Sequence, residues 1–189
     1  MVDKVGLCNA ALALLGDDKI DALTDTTDRA KLCSRLYDPT RDAVLRAHLW
    51  KCCKKRAVLS PAIDAPAFEW AYQFLIPADC IRVISIDQEG YITPFKIEGR
   101  YILANTNVAN CRYIFNNDDP TSYSGGLVDV MVYALAKALA YPITHSAAMR
   151  DSIGTEYTRA LVQARAADGQ EDYAETWNQG PVKTARYFS

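Results

Sequence analysis

Histidine is the scarcest ionisable residue in this chain, with His48 and His145 as its two examples. The imidazole is the side chain that most often serves as a general base near neutral pH. The sequence also lacks a GxSxG motif, which would place a nucleophilic serine on a tight turn. A catalytic triad depends on geometry rather than on the presence of its members. We therefore expect no enzymatic activity and assign no catalytic residue.

Motifs for metals and nucleotides are also missing. None of the six cysteines is part of a CxxC motif, so no two thiolates have the spacing typical of a zinc site. The glycine pair Gly125–Gly126 lacks both the P-loop lysine and the three spaced glycines of a dinucleotide site, and we interpret it as the start of a helix. The string IEGR at 97–100 is interpreted as a tight turn. No cofactor or metal is expected.

The chain has no excess of either charge, with 23 acidic and 21 basic residues. This balance argues against a nucleic-acid binder that relies on bulk positive charge, although a local basic patch is still compatible with it. The longest apolar run, at 127–141, contains Asp129 and Lys137, and is shorter than the roughly 20 residues of a membrane span. With no export signal at the N-terminus, we expect reduced thiols, a cytosolic place of folding and no membrane contact.

Two helices are predicted before residue 50. Apolar residues in 2–15 recur at spacings of three and four, and Gly16 is a typical residue after a helix C-terminus. Thr26 or Thr27 can cap the second helix. Pro39 interrupts its pattern, so the stretch up to Trp50 is either a kinked continuation or a separate short helix.

The middle of the chain has the alternation of β-strands. In 66–86 one face of the first strand is apolar, and we predict a structural core made of Trp70, Tyr72, Phe74 and Ile76. Pro77 ends this strand, the Asp79 carboxylate is expected to accept backbone donors at the bend, and 81–86 forms the next strand. Further short strands are predicted at 92–97, 101–103 and 111–115. The short connections between them favour an antiparallel meander.

Helical periodicity returns after the turn-rich segment 116–126. Ser124 is the expected N-cap, and Pro142 is expected to end this helix. Thr144 or Ser146 then begins the last helix, which extends to residue 168. The inward residues expected on the two helices are Leu127, Met131, Ala134, Ala138 and Tyr141, then Met149, Ile153, Tyr157, Ala160, Ala164 and Ala167.

This order of elements predicts an α+β fold. An antiparallel bundle of about four helices is formed by 1–60 and 117–168, and a small antiparallel β-meander is inserted at 61–116. Residues 169–189 lack apolar periodicity and are interpreted as a C-terminal tail that binds a partner.

Two groups of residues are candidates for partner contacts. The first is a cluster next to the second helix that either faces DNA or an acidic partner, or forms a solvated exit loop: Trp50, Lys51, Lys54, Lys55 and Arg56. The second comprises the tail aromatics, which either dock on a partner or belong to a disordered segment: Tyr173, Trp177, Tyr187 and Phe188.

Four strings of this sequence resemble the podoviral tail tubular protein A family, the head-to-tail adaptors of short-tailed phages and their prophages. They are LCNAALALLG at 7–16, RLYDPTRDAVLRAHLW at 35–50, PAFEWAYQFLIPADCIRVISI at 66–86 and FKIEGRYILAN at 95–105. A looser similarity covers LAKALAYPITHS at 135–146 and the alanine-rich last helix. The chain differs from the family pattern at Lys51–Cys53 and in the acidic turn before Gly125.

The resemblance implies a structural virion protein without enzymatic activity. Such a subunit forms a ring, expected to be dodecameric, between the portal protein and the tail nozzle, and the genome passes through it without sequence readout. Extended termini engage the portal in that family, which implies the same role for the tail aromatics here. The implied location is the virion tail, with assembly in the host cytoplasm. The alternative hypothesis is a packaging accessory factor that binds nucleic acid through the basic segment 51–56.

Overall fold

The computed structural model describes residues 2–88 and 91–170. The described part has the predicted α+β architecture. Its helices and strands, in chain order, are α1 (Lys4–Leu14), α2 (Asp28–Ala47), β1 (Lys54–Leu59), β2 (Tyr72–Leu75), β3 (Cys80–Gln88), β4 (Tyr91–Ile92), β5 (Phe95–Glu98), β6 (Tyr101–Ala104), β7 (Ala109–Phe115), α3 (Gly125–Thr144) and α4 (Ala147–Gln170).

Side-chain caps explain where the helices begin. The Asp3 carboxylate accepts the Gly6 N–H, the Thr27 hydroxyl accepts the Ala30 N–H, and the Ser124 hydroxyl accepts the Leu127 N–H. Each cap satisfies a backbone donor that has no partner within the helix. Ser146 does the same for α4, since its hydroxyl accepts the Met149 N–H at 3.1 Å.

Both prolines that were expected to interrupt helices lie inside continuous helices. Pro39 is within α2, so this stretch continues the helix and is not a separate short helix. Pro142 is within α3, so the prediction that it ends the helix was wrong. Both prolines are exposed, which lets water hydrate the carbonyl that loses its helical partner. α3 continues to Thr144, and the left-handed residue His145 follows as its C-cap.

The bundle is built around α3, which contacts α1, α2 and α4. By length and composition α3 is apolar enough to cross a membrane. Eight of its residues are nevertheless buried in the bundle, as in the central helix of a globular core. The predicted inward faces are correct except at their ends, because Tyr141, Met149 and Ala167 are exposed.

The strands form two antiparallel sheets instead of the predicted single meander. The larger sheet has the order β1-β7-β3-β4 and the smaller one has the order β2-β6-β5. The predicted strand 92–97 is divided between them: β4 pairs with β3, and β5 pairs with β6. Between β5 and β6 lies the predicted tight turn, where Gly99 has φ 57°.

Strand β7 connects the helical bundle with the two sheets. Ile114 is fully buried in the core of the helical bundle. On the opposite face, Cys111 and Tyr113 lie in a second core. That core also contains Phe74 of β2 and Ile102 of β6, so the two sheets pack against each other through it.

The β part begins earlier than predicted. Strand β1 pairs with β7 from Lys54↔Ile114 to Leu59↔Ala109, so it belongs to the larger sheet and not to the helical segment 1–60. The segment between β7 and α3 is fixed to α2 instead, because the buried guanidinium of Arg41 contacts Asp118 as well as Asp38 and Asp42 on its own helix.

The predicted core residues of the first strand were only partly correct. Phe74 is fully buried, whereas Tyr72 is 36% exposed. Trp70 and Ile76 are half-buried and lie outside the strand, which spans Tyr72–Leu75. A four-residue strand has room for only two side chains on each face, which is why the predicted apolar face is shorter than its sequence pattern.

Phe74→Ala should therefore destabilise the protein by about 3–5 kcal/mol, because it leaves a cavity in the second core. Tyr72→Ala should cost less than half as much, since its ring remains in contact with water. Urea denaturation of the two variants measures both values. Equal losses of stability would contradict the different burial of these two rings.

Candidate functional site

The predicted basic cluster begins where α2 ends. His48 adopts an extended conformation that ends the helix, and a 3₁₀ turn at Lys51–Cys53 leads into β1. Trp50 is fully buried, and its indole N–H donates a hydrogen bond of 2.9 Å to the Val44 carbonyl. The His48 ring packs edge-on against it, with 4.8 Å between the ring centroids. Trp50 is thus a core residue, and the prediction that it faces a partner was wrong.

His48 also links this corner to the last helix. Its Nε2 atom lies 3.0 Å from Oδ2 of Asp168, while Oδ1 of Asp168 accepts the Lys51 N–H at 3.4 Å. One turn earlier in α4, the Arg165 guanidinium donates to the Ala47 carbonyl at 2.5 Å. These contacts join the C-terminal ends of α2 and α4. We call the set of His48, Asp168 and Arg165 the corner clamp.

The corner clamp changes the boundary of the predicted tail. Asp168 was expected to mark the end of the folded part, yet its side chain is only 8% exposed, and α4 continues to Gln170. The tail aromatics Tyr173, Trp177, Tyr187 and Phe188 lie outside the described residues. A truncation that is meant to leave the fold intact must therefore begin after Gln170.

Lys55 belongs to a network within the β part. Its Nζ atom lies 2.8 Å from Oδ2 of Asp79 and 3.9 Å from the centroid of the Phe115 ring. The Tyr113 hydroxyl donates to Oδ1 of the same carboxylate at 3.1 Å. The Lys55 ammonium is the main cause that lowers the pKa of Asp79 below its usual value, and burial raises the pKa of Tyr113 to about 12.

These contacts correct two expectations. The Asp79 carboxylate was expected to accept backbone donors at the bend, but its principal partners are the side chains of Lys55 and Tyr113. Lys55 in turn is engaged by this carboxylate. The predicted exit loop is in fact a turn followed by strand β1, and Lys51 within that turn is half-buried.

Lys54 and Arg56 are the members of the cluster that remain available to a partner. Both are exposed, and within the described part of the chain neither forms an ion pair. In the larger sheet Arg56 is directly opposite Arg112 of β7. Arg112 forms an ion pair of 2.7 Å with Asp87 of β3.

A cleft of about 360 Å³ lies beside this pair of arginines, and the sequence did not predict it. It is lined by Arg56, Ala57, Val58, Asp87, Asn110, Cys111 and Arg112. Its residues come from three strands that are distant in sequence, and β1 had been placed in the basic cluster and in the helical segment 1–60. The signal of a strand available there is the short apolar run 57–59, in which Val58 is β-branched.

The sequence also gave no indication of the apolar surface of the β part. Six large apolar side chains on its strands and loops are exposed to water. Their exposed fractions are Val58 75%, Ile63 103%, Phe68 82%, Leu75 56%, Ile92 78% and Ile97 49%. Isolated exposed apolar residues are common on proteins, so each of these six side chains is a candidate contact position. We call these six residues the apolar β surface.

All six cysteines are free thiols, and within 2–88 and 91–170 no group of three His, Cys, Asp or Glu side chains has the arrangement of a metal site. His145 lies at the C-terminus of α3, where its ring contacts Tyr141.

Comparison with protein-family models and with curated proteins gives no match.

The corner clamp can be tested by Asp168→Ala. The change removes the carboxylate that holds His48 and the Lys51 N–H, and we expect it to cost about 1–3 kcal/mol of stability. Asp151→Ala is the matched control, because Asp151 is an exposed partner of Arg150 on the same helix and such pairs contribute little. Thermal melting of both variants gives the comparison. An equal effect of the two changes would mean that the clamp adds nothing beyond a surface ion pair.

Proposed function

We propose that this chain is a structural virion subunit, a head-to-tail adaptor that assembles as a ring between the portal and the tail nozzle. The observation that carries the proposal is the apolar β surface, which lies outside both cores and remains in contact with water. Exposed apolar area of this kind is stabilised when another protein covers it. The resemblance of the four sequence strings to the tail tubular protein A family supports the same function.

The architecture suits a ring subunit because ring formation requires two different complementary surfaces on each copy. In this chain the helical bundle and the β part offer chemically different faces. The outward face of α4 is largely polar, with Met149 and Val162 as exposed exceptions, whereas the β part presents the six apolar side chains. Obligate interfaces commonly bury about 2,000 Å² or more, and both faces belong to a chain with a total accessible surface of 12044 Å².

Assembly can be measured by native mass spectrometry of the purified chain, alone and mixed with the portal protein encoded by the same genome. We expect a joint complex that contains several copies of this chain per portal ring. A mixture in which the two proteins remain separate would contradict the adaptor function.

The apolar β surface has its own test in the double variant Ile63→Ser, Phe68→Ser. Both side chains are exposed, so the melting temperature should stay close to that of the wild type, while assembly should weaken. Val162→Ser probes the other proposed face, since it removes an exposed apolar side chain from α4, and it should also leave the melting temperature close to that of the wild type. Unchanged assembly of the double variant would show that the interface lies elsewhere.

The tail can be tested by removing residues 171–189, which leaves the corner clamp in place. We expect an unchanged melting temperature and weaker association with the portal. Retention of full portal binding would contradict docking through the tail aromatics.

Nucleic-acid binding through the basic segment 51–56 is the second hypothesis, and the observation that favours it is the exposure of Lys54 and Arg56. Two exposed cations predict weak binding, because each phosphate contact adds only one released counterion. A DNA-binding measurement at several salt concentrations separates the two functions. Tight, steeply salt-dependent binding without any complex with the portal would favour this second hypothesis.

A further inference from the structure

The cleft beside Arg56 combines two unfavourable features. Arg56 and Arg112 are directly opposite each other on adjacent antiparallel strands, and like charges in such pairs repel. Below them is Asp87, whose side chain is 8% exposed and whose Oδ2 atom lies 2.7 Å from Nη2 of Arg112. Oδ1 of Asp87 is buried and has no hydrogen-bond partner among the described residues.

A buried acceptor without a donor destabilises a protein by about 1–3 kcal/mol. A donor that enters the cleft lined by Asp87, whether water or a ligand, can satisfy Oδ1. At the same time, the exposed guanidinium of Arg56 and the N–H groups of Arg112 that do not contact Asp87 can donate to an anionic acceptor. A ligand that satisfies both needs must present a hydrogen-bond donor and an anionic oxygen close together.

The charge of the cleft limits the ligand further. Two guanidinium groups and one carboxylate leave a net charge of one positive unit among the lining residues. The remaining ionisable lining residue, Cys111, is neutral, because burial raises the pKa of its thiol to about 12. The best match is thus an anion with a single negative charge that carries its own hydroxyl group.

We propose that this cleft is a binding site for a monoanionic oxyacid with an O–H group, for which dihydrogen phosphate is the simplest example. The phosphate oxygens accept hydrogen bonds from Arg56 and Arg112, in the fork geometry that guanidinium groups provide. The phosphate hydroxyl donates to Oδ1 of Asp87. Asn110 lines the same cleft and offers a further amide group.

This chemistry distinguishes the site from a contact with a nucleic-acid backbone. A phosphodiester carries no proton near neutral pH and has nothing to donate to Asp87, so its oxygens would be repelled by the carboxylate. Sulfate is also fully deprotonated in this pH range, so it has no proton to donate to Asp87 either. The inference does not rest on the adaptor function, because a phosphate site is compatible with any assembly state of the chain.

The test is a titration of the ¹⁵N-labelled protein with phosphate, and separately with sulfate, in mildly acidic buffer where dihydrogen phosphate predominates. We expect phosphate to shift the backbone amide signals of Ala57 and Asn110, and to bind about tenfold more tightly than sulfate. Equal affinity for the two anions, or no shift of these signals at high phosphate concentration, would overturn the proposal.

Variants assign the roles of the individual side chains. Arg56→Gln removes an exposed guanidinium, which should keep the fold and lower phosphate affinity about tenfold. Arg35→Gln is the matched control, because it removes an exposed arginine from α2, and it should leave the affinity unchanged. Asp87→Asn replaces an obligate acceptor with a group that also donates, so it should reduce the preference for phosphate over sulfate.

If Arg35→Gln lowers phosphate affinity as much as Arg56→Gln does, the protein attracts anions nonspecifically. That result would overturn the proposal. If Asp87→Asn fails to fold, as judged by its melting curve, the comparison of Arg56→Gln with Arg35→Gln still decides the question. Full phosphate affinity in Arg56→Gln would also contradict the proposal.

Discussion

The fold depends on one strand, β7, whose C-terminal half is buried on both of its faces. Ile114 of β7 packs into the helical bundle, while Cys111 and Tyr113 pack into the core between the sheets. β7 is also hydrogen-bonded along both edges, to β1 and to β3. At about 25 cal/mol for each Å² of apolar surface removed from water, this double burial makes β7 the element whose displacement would disturb the most of the structure.

Signals that act within a few residues could be predicted from the sequence. The caps Thr27, Ser124 and Ser146 lie where their hydroxyl groups satisfy the first backbone donors of a helix, and Gly99 occupies a turn that requires positive φ. The rule that proline ends a helix failed at Pro142 and left two alternatives open at Pro39, because it takes no account of exposure. On a solvated face, water replaces the lost hydrogen bond and the helix continues.

Features that depend on distant partners could not be predicted in the same way. Strand β1 pairs with β7, about fifty residues later in the chain, and without knowledge of that partner its short sequence resembles a linker. The contacts His48–Asp168 and Lys55–Asp79 join residues separated by 120 and 24 positions. For this reason the basic cluster was identified by composition, whereas the assignment of Trp50 and Lys55 to structural roles required the fold.

The shared strand also has a mechanical consequence. No flexible connection separates the helices from the sheets at β7, since tilting the sheets as a unit would pull Ile114 out of the bundle and expose both cores to water. A load applied to the smaller sheet is therefore transmitted through β7 to the helices. The molecule should respond to force as a single stiff block rather than as two bodies joined by a hinge.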